Sequence, residues 1–250
     1  LPSHCSILTG TYPLSHGVHN NGFYYLGENN FTLAEMLKEQ NYNTAAFVSS
    51  FTVDSRFGIG QGFDFFDDKF SAEEILKNFR SERKAESVFV SFSDWFDENH
   101  NQKFFCWLHF FDPHLPYDPP SPFKEEFIHR PYDGEIAYMD YYVGKVIDKL
   151  REKNILSRTL IILAGDHGEA LGEKQEVDHG LFIYDNVLRV PLIFFAEKSL
   201  PQGLVIPSRV RLIDILPTIL AILKIPMNKN IQGTTLLPYI KAEKKDDLPS

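Results

Sequence analysis

Thr159-Leu160-Ile161-Ile162-Leu163-Ala164-Gly165 is an apolar run that empties directly into Asp166-His167-Gly168-Glu169. A continuous run of this length predicts a strand buried on both faces of a parallel sheet. In open α/β sheets ligands collect just beyond the carboxyl ends of such strands, which is where Asp166 and His167 fall. Adjacent strand residues point to opposite faces. The two side chains reach one point only if the chain is already turning, and Gly165 and Gly168 permit that turn. A carboxylate beside a neutral imidazole is a hard-to-borderline metal-ligand pair. The plainer reading has Asp166 capping a following helix and His167 incidental.

Working outward, strand-like and helical stretches alternate. Phe31–Gln40 is an amphipathic helix with Thr32 as N-cap, followed by a strand at Asn43–Val48. Ser71–Asn101 carries a mixed helical pattern, and Phe104–Phe111 is a second buried strand whose Phe residues and Trp107 belong to the core. Tyr132–Lys153 is the longest helix, with Asp133, Glu135 and Asp140 offsetting its dipole or facing water. Val190–Ala196 is a further strand, and Val210–Lys224 is a strand end passing into a helix, with Pro217 near its first turn. This alternation predicts an α/β fold with a predominantly parallel sheet and helices on both faces.

The 250 residues can bury a sizeable core, and 43% hydrophobic with 24% charged residues is ordinary for a soluble globular protein. A net charge of -9 gives nucleic-acid or polybasic membrane binding no electrostatic support. A protein of this charge acting on an anion needs a metal or local cations. Cys5 and Cys106 lie far apart and match neither a disulfide framework nor a zinc cluster. No apolar run reaches the roughly 18–20 residues of a membrane helix. The chain opens without Met, inside what reads as a motif, so a fragment is expected: residues 1–240 as one catalytic domain, and 241–250 as a charged tail or the start of a further region.

Three more segments carry chemistry. Leu1-Pro2-Ser3-His4-Cys5-Ser6-Ile7-Leu8-Thr9-Gly10 begins a helix whose free N–H groups would suit an anion, though an ordinary proline-initiated helix reads equally well. Asp112-Pro113-His114-Leu115-Pro116 fixes a histidine between prolines after a strand end, where it suits proton transfer or anion binding better than a free loop histidine does. Asp178-His179-Gly180 places its histidine twelve positions after His167.

Together, L-P-S-H-x-S-x-L-T-G-x-Y-P-x-x-H-G-V, W-L-H-F-F-D-P-H-x-P-Y-x-P-P, G-D-H-G-E-x-L-G-E and H-G-L-F-I-Y-D-x-x-L-R-V-P-L-I resemble the sulfatases of the alkaline phosphatase superfamily, collinear from residue 1 to about 240. The resemblance implies an alkaline phosphatase-like three-layer sandwich and hydrolysis of sulfate esters, small-molecule or carbohydrate. The family signature is C-x-P-S-R, whose first residue matures to formylglycine. Pro2-Ser3 match its P-S, so the nucleophile would stand immediately before Leu1, and Cys5 is not it. His4 replaces the usual Arg.

By the same resemblance Asp166 and His167 are metal ligands for one divalent cation, calcium first, with magnesium, manganese or zinc as alternatives. His114 and His179 are the catalytic histidines, and Ser3, His4, His114 and His179 the substrate contacts. The family's G-K-W-H-L-G segment has no counterpart in the stretch after Asn43–Val48, which leaves substrate charge to the metal, His114, His179 and Arg56. Family members are commonly periplasmic or extracellular, and this sequence adds nothing on that point. Two other readings stand: a phosphomonoester, phosphodiester or phosphonate hydrolase of the superfamily, and a non-catalytic sulfatase-like binding domain.

Overall fold

A computed structural model describes residues 1–70, 82–179, 182–227 and 230–243. The main helices are α1 (Pro2–Thr9), α2 (Leu33–Lys38), α3 (Ala85–Asn99), α4 (Pro131–Glu152) and α5 (Ile215–Leu223). The strands are β1 (Asn43–Val48), β2 (Phe65–Asp67), β3 (Phe104–His109), β4 (Ile161–Ala164), β5 (Ala170–Leu171), β6 (Val177–Asp178) and β7 (Leu192–Phe195). The chain divides into two compact units, one formed by Leu1 with Gly17–Asn154, the other by Pro2–His16 with Ile155–Ser250.

In the first unit β1 is the central strand, with β2 and β3 parallel to it on either side. Its Ala45, Ala46, Phe47 and Val48 are fully buried. The small pair lets neighbouring layers approach, while Phe47 packs against Phe92 of α3 at 5.9 Å between ring centroids. On β3, Phe104 meets Phe96 of α3 (5.5 Å) whereas its neighbour Phe105 stacks on Phe63 (5.6 Å). Adjacent strand residues thus feed opposite faces, as the two-residue period requires. Trp107 is half-buried rather than sealed in the core. The entry to β1 is prepared by α2, where Thr32 caps Glu35 N–H at 3.2 Å and Glu35 Oε2 accepts the Thr32 N–H at 2.8 Å.

Helix α4 begins at Pro131, where a missing N–H costs nothing. It is joined to α3 by Asp97, whose carboxyl is held down to about 2 by hydrogen bonds from Lys149 and Lys153.

In the second unit β4 and β7 pair antiparallel, Ile161 opposite Phe195 and Ala164 opposite Leu192. The expected buried parallel strand over 159–165 is therefore shorter, half-buried and antiparallel to its partner. An apolar run has the same pattern whichever way its neighbour runs, so the sequence held no information on direction. Helix α1 ends at Gly10 (φ +66°), which is left-handed and whose carbonyl accepts the N–H of Gln232 at 2.9 Å. The expected strand end before α5 is instead a 3₁₀ turn, Leu212–Asp214, with Asp214 fully buried and accepting from Arg211 and from the Thr234 N–H. Residues 71–81 of the expected 71–101 helical stretch, Gly180, and residues 244–250 of the expected tail lie outside the described residues.

Candidate active site

The turn after β4 is built by close approach. Gly165 donates its N–H to the Pro191 carbonyl (3.1 Å) and Gly168 to that of Val187 (2.7 Å). A Cβ on Gly168 would run into the carbonyl oxygen of Asn186, and one on Gly165 would lie 3.2 Å from Cβ of Val190. Neither glycine has a left-handed φ. They are needed for space, not for conformational freedom. No helix follows Asp166, since the chain passes from the turn into β5, so the helix-cap reading of Asp166 fails.

Oδ1 of Asp166 accepts the His167 N–H at 3.1 Å, while Oδ2 faces Nε2 of His4 at 3.2 Å and Nε2 of His167 at 3.6 Å. His167 directs Nδ1 at the Gly168 carbonyl, 3.0 Å away. That bond places the ring proton on Nδ1 and leaves a lone pair on Nε2. A carboxylate oxygen and an imidazole lone pair then face each other 3.6 Å apart. Such a pair is held together either by a proton on Nε2 or by a cation between the two atoms, and ligand bonds of about 2.0–2.4 Å to one ion suit that spacing. These two residues fit a divalent cation.

His179 reaches the same place by the β5–β6 hairpin, which pairs Ala170 with Asp178 and Leu171 with Val177. Its ring lies 4.0 Å from that of His167. Nδ1 of His179 is 2.8 Å from Asp178 Oδ1 and 3.3 Å from Glu169 Oε1. Glu169, Asp178 and His179 have ligand atoms within 4.8 Å of one another and form an acidic-histidine group able to hold a metal ion. Sequence alone assigns Glu169 and Asp178 no role, because the hairpin that gathers them has strands of two residues each. Ser3 is half-buried in the first turn of α1, one residue before the buried His4. The structure thus brings together His4, Asp166, His167 and His179 within one unit, with Ser3 on the helix that carries His4.

His114 belongs to the other unit. Its ring stacks on Phe111 at 4.0 Å, and Nδ1 faces the Leu115 carbonyl at 2.8 Å, making Nε2 the basic nitrogen. The His114 N–H is donated to Oε2 of Glu135 at 3.0 Å. Glu135, expected to offset the helix dipole or to face water, is fully buried in α4 and does not face water. Arg56, expected to remain available to substrate, is bound through Nε and Nη2 to both carboxylate oxygens of Asp54 at 2.8 and 2.9 Å. Cys5 is fully buried, and burial pushes its thiol up to about 12, which removes it from consideration as a nucleophile.

The Sulfatase family model matches residues 2–225. The chain belongs to the sulfatase family. Arylsulfatase K of Gallus gallus is 30% identical over 118 residues, 47% of this chain and 22% of that protein. The matched stretch therefore spans about a fifth of that curated relative. The crystal structure of Ps i-CgsB superposes with a TM-score of 0.81 at 20% identity, covering 97% of this chain and 66% of the other. BT4656, solved in complex with its substrate D-glucosamine-2-N,6-O-disulfate, superposes with a TM-score of 0.77 at 18% identity, covering 100% and 71%. These likenesses show the fold: α/β, of the alkaline phosphatase-like type that sulfatases share. Among the described residues, no helix of this sulfatase-family chain is long and apolar enough to cross a membrane.

Proposed function

We propose that residues 1–240 form a sulfatase-type catalytic domain that hydrolyses sulfate esters with the help of one divalent cation. The observation that carries this reading is the facing of Asp166 Oδ2 and His167 Nε2 with His4 and His179 beside them. Asp166 and His167 would hold the cation, with calcium first and magnesium, manganese or zinc as alternatives. When bound, the cation supplies Lewis-acid polarisation of a sulfate oxygen.

The chain's own residues divide the remaining work. His4 fixes the Asp166 carboxylate from the side of α1 at 3.2 Å. His179 is oriented by Glu169 and Asp178 and stands against the His167 ring, where it would contact sulfate or hand a proton to the departing oxygen. His114, with its tautomer fixed by the Leu115 carbonyl, would accept and return a proton at Nε2 or hold a sulfate oxygen. Ser3, in the first turn of α1, would donate to the substrate or nucleophile. A sulfated carbohydrate is the favoured substrate class, as in BT4656.

The test is hydrolysis of 4-nitrophenyl sulfate by the full-length protein matured with a formylglycine-generating enzyme, run beside 4-nitrophenyl phosphate and a phosphonate monoester. Preference for sulfate is expected, with one tightly bound cation per chain. Two bound zinc ions and a preference for phosphate would overturn this reading in favour of a phosphoester hydrolase of the same superfamily.

A further inference from the structure

Three polar groups of the His114 loop end on carboxylates or cations that the proposed chemistry does not use. Glu135 sits on α4 with no exposed surface. Its Oε2 accepts the His114 N–H at 3.0 Å, and its Oε1 accepts the Asp118 N–H at 3.0 Å and Lys84 Nζ at 2.6 Å. The same Lys84 ammonium lies 3.1 Å from Oδ1 of Asp112, whose Oδ2 accepts the Ala85 N–H at 2.9 Å. Burial raises the Asp112 carboxyl above its ordinary range, and the Lys84 charge opposes this only in part.

Burying two carboxylates around one ammonium is a poor way to gain stability, because desolvation offsets most of the Coulombic attraction. Such clusters are better at fixing a single geometry. Here the geometry fixed is that of the loop, held through the Asp112 side chain and through the backbone N–H groups of His114 and Asp118.

We infer that Glu135, charge-balanced by Lys84, is a positioning residue that sets His114 for the reaction through the His114 and Asp118 amides. This rests on the reading of His114 as part of the catalytic machinery. Glu135→Gln has a single carboxamide oxygen and must abandon one of the two amides, as well as its charge opposite Lys84.

The experiment is a double-mutant cycle on 4-nitrophenyl sulfate with the full-length, matured protein: wild type, Glu135→Gln, His114→Ala and the double variant. Glu135→Gln is expected to lower kcat on the order of 10- to 100-fold with KM little changed, the scale of a small misplacement of a reacting group. In the His114→Ala background the same change is expected to cost less than about twofold, because its route is already gone. Losses that multiply independently would overturn the inference while leaving the role of His114 intact. An undiminished kcat in His114→Ala would instead remove the reading of His114, and the inference with it. Should Glu135→Gln fail to fold, Lys84→Met enters the same cycle, since the partly exposed Lys84 leaves the buried carboxylate in place. It is expected to lower kcat roughly threefold or more, again only when His114 is present.

Discussion

Nε2 of His4 lies 3.2 Å from Oδ2 of Asp166, so a histidine four residues into the chain holds the carboxylate at the end of β4. The family signature has Arg at that position. A guanidinium brings a permanent charge, whereas an imidazole brings one donor that depends on its proton. If this contact orients a metal ligand, removing it weakens cation binding without removing a ligand. His4→Ala is expected to lower cation affinity by about 10- to 100-fold, the usual scale for a supporting partner, and His4→Gln by less, since its amide can still donate. Calorimetric titration of the metal-stripped protein measures it, and an unchanged affinity for His4→Ala would sink the idea.

Asp166 itself is a harsher case. Asp166→Ala deletes the oxygen that faces both His4 and His167. Hydrolysis of an aryl sulfate is expected to fall by roughly a thousandfold or more, with cation retention after dialysis largely lost. Elemental analysis alongside the assay reads both, and full activity would refute the site.

Gly168 and Gly144 offer opposite outcomes for one substitution. A Cβ at 168 meets the Asn186 carbonyl oxygen, and backbone must move to admit it, whereas a Cβ at 144 meets nothing within 4 Å. Gly168→Ala is expected to destabilise by roughly 2–3 kcal/mol, the upper range for a single strained change. Gly144→Ala, inside the long helix α4, is expected to stabilise by about 0.5–1 kcal/mol. Denaturant midpoints decide between them, and equal shifts would contradict the packing described for the turn.

Cys5 gives a prediction in pH. Burial raises its thiol from 9.0 to about 12 in the folded chain. The unfolded chain therefore releases this proton first as pH rises, and the folded state falls behind. Stability from this group is complete below pH 9 and is lost as pH rises through about 12. A thiol reagent at pH 8 is expected to label Cys5 only at the rate of unfolding, and prompt labelling of native protein would show the residue accessible.

Much of the frame is readable residue by residue. Asn43–Val48 and the Thr32–Glu35 cap announce themselves because strand propensity and capping act over a few neighbours. Asp166, His167 and His179 stand out as motif residues. How His179 returns to His167 does not, because the hairpin depends on left-handed backbone at Lys174 and Gln175, residue types that rarely adopt it, as well as at Asp178. The burial of Glu135 is hidden from the sequence for a related reason. An acidic side chain early in a helix has the same sequence signature whether it faces water or a loop folded over it. Only the covering loop, with its two inward N–H groups, decides.

The latch between Gly168 and Val187 reaches beyond stability. The short helical turn Asp185–Leu188 lies at the surface, with Leu188 58% exposed, and would pass for a segment free to vary. Its backbone nevertheless forms the wall against which the Asp166–His167 turn is pressed. A change of length or pitch there would reach the Asp166–His167 pair without altering either residue. Side chains along 182–189 can therefore change without disturbing that wall, whereas the path of the main chain beneath them cannot.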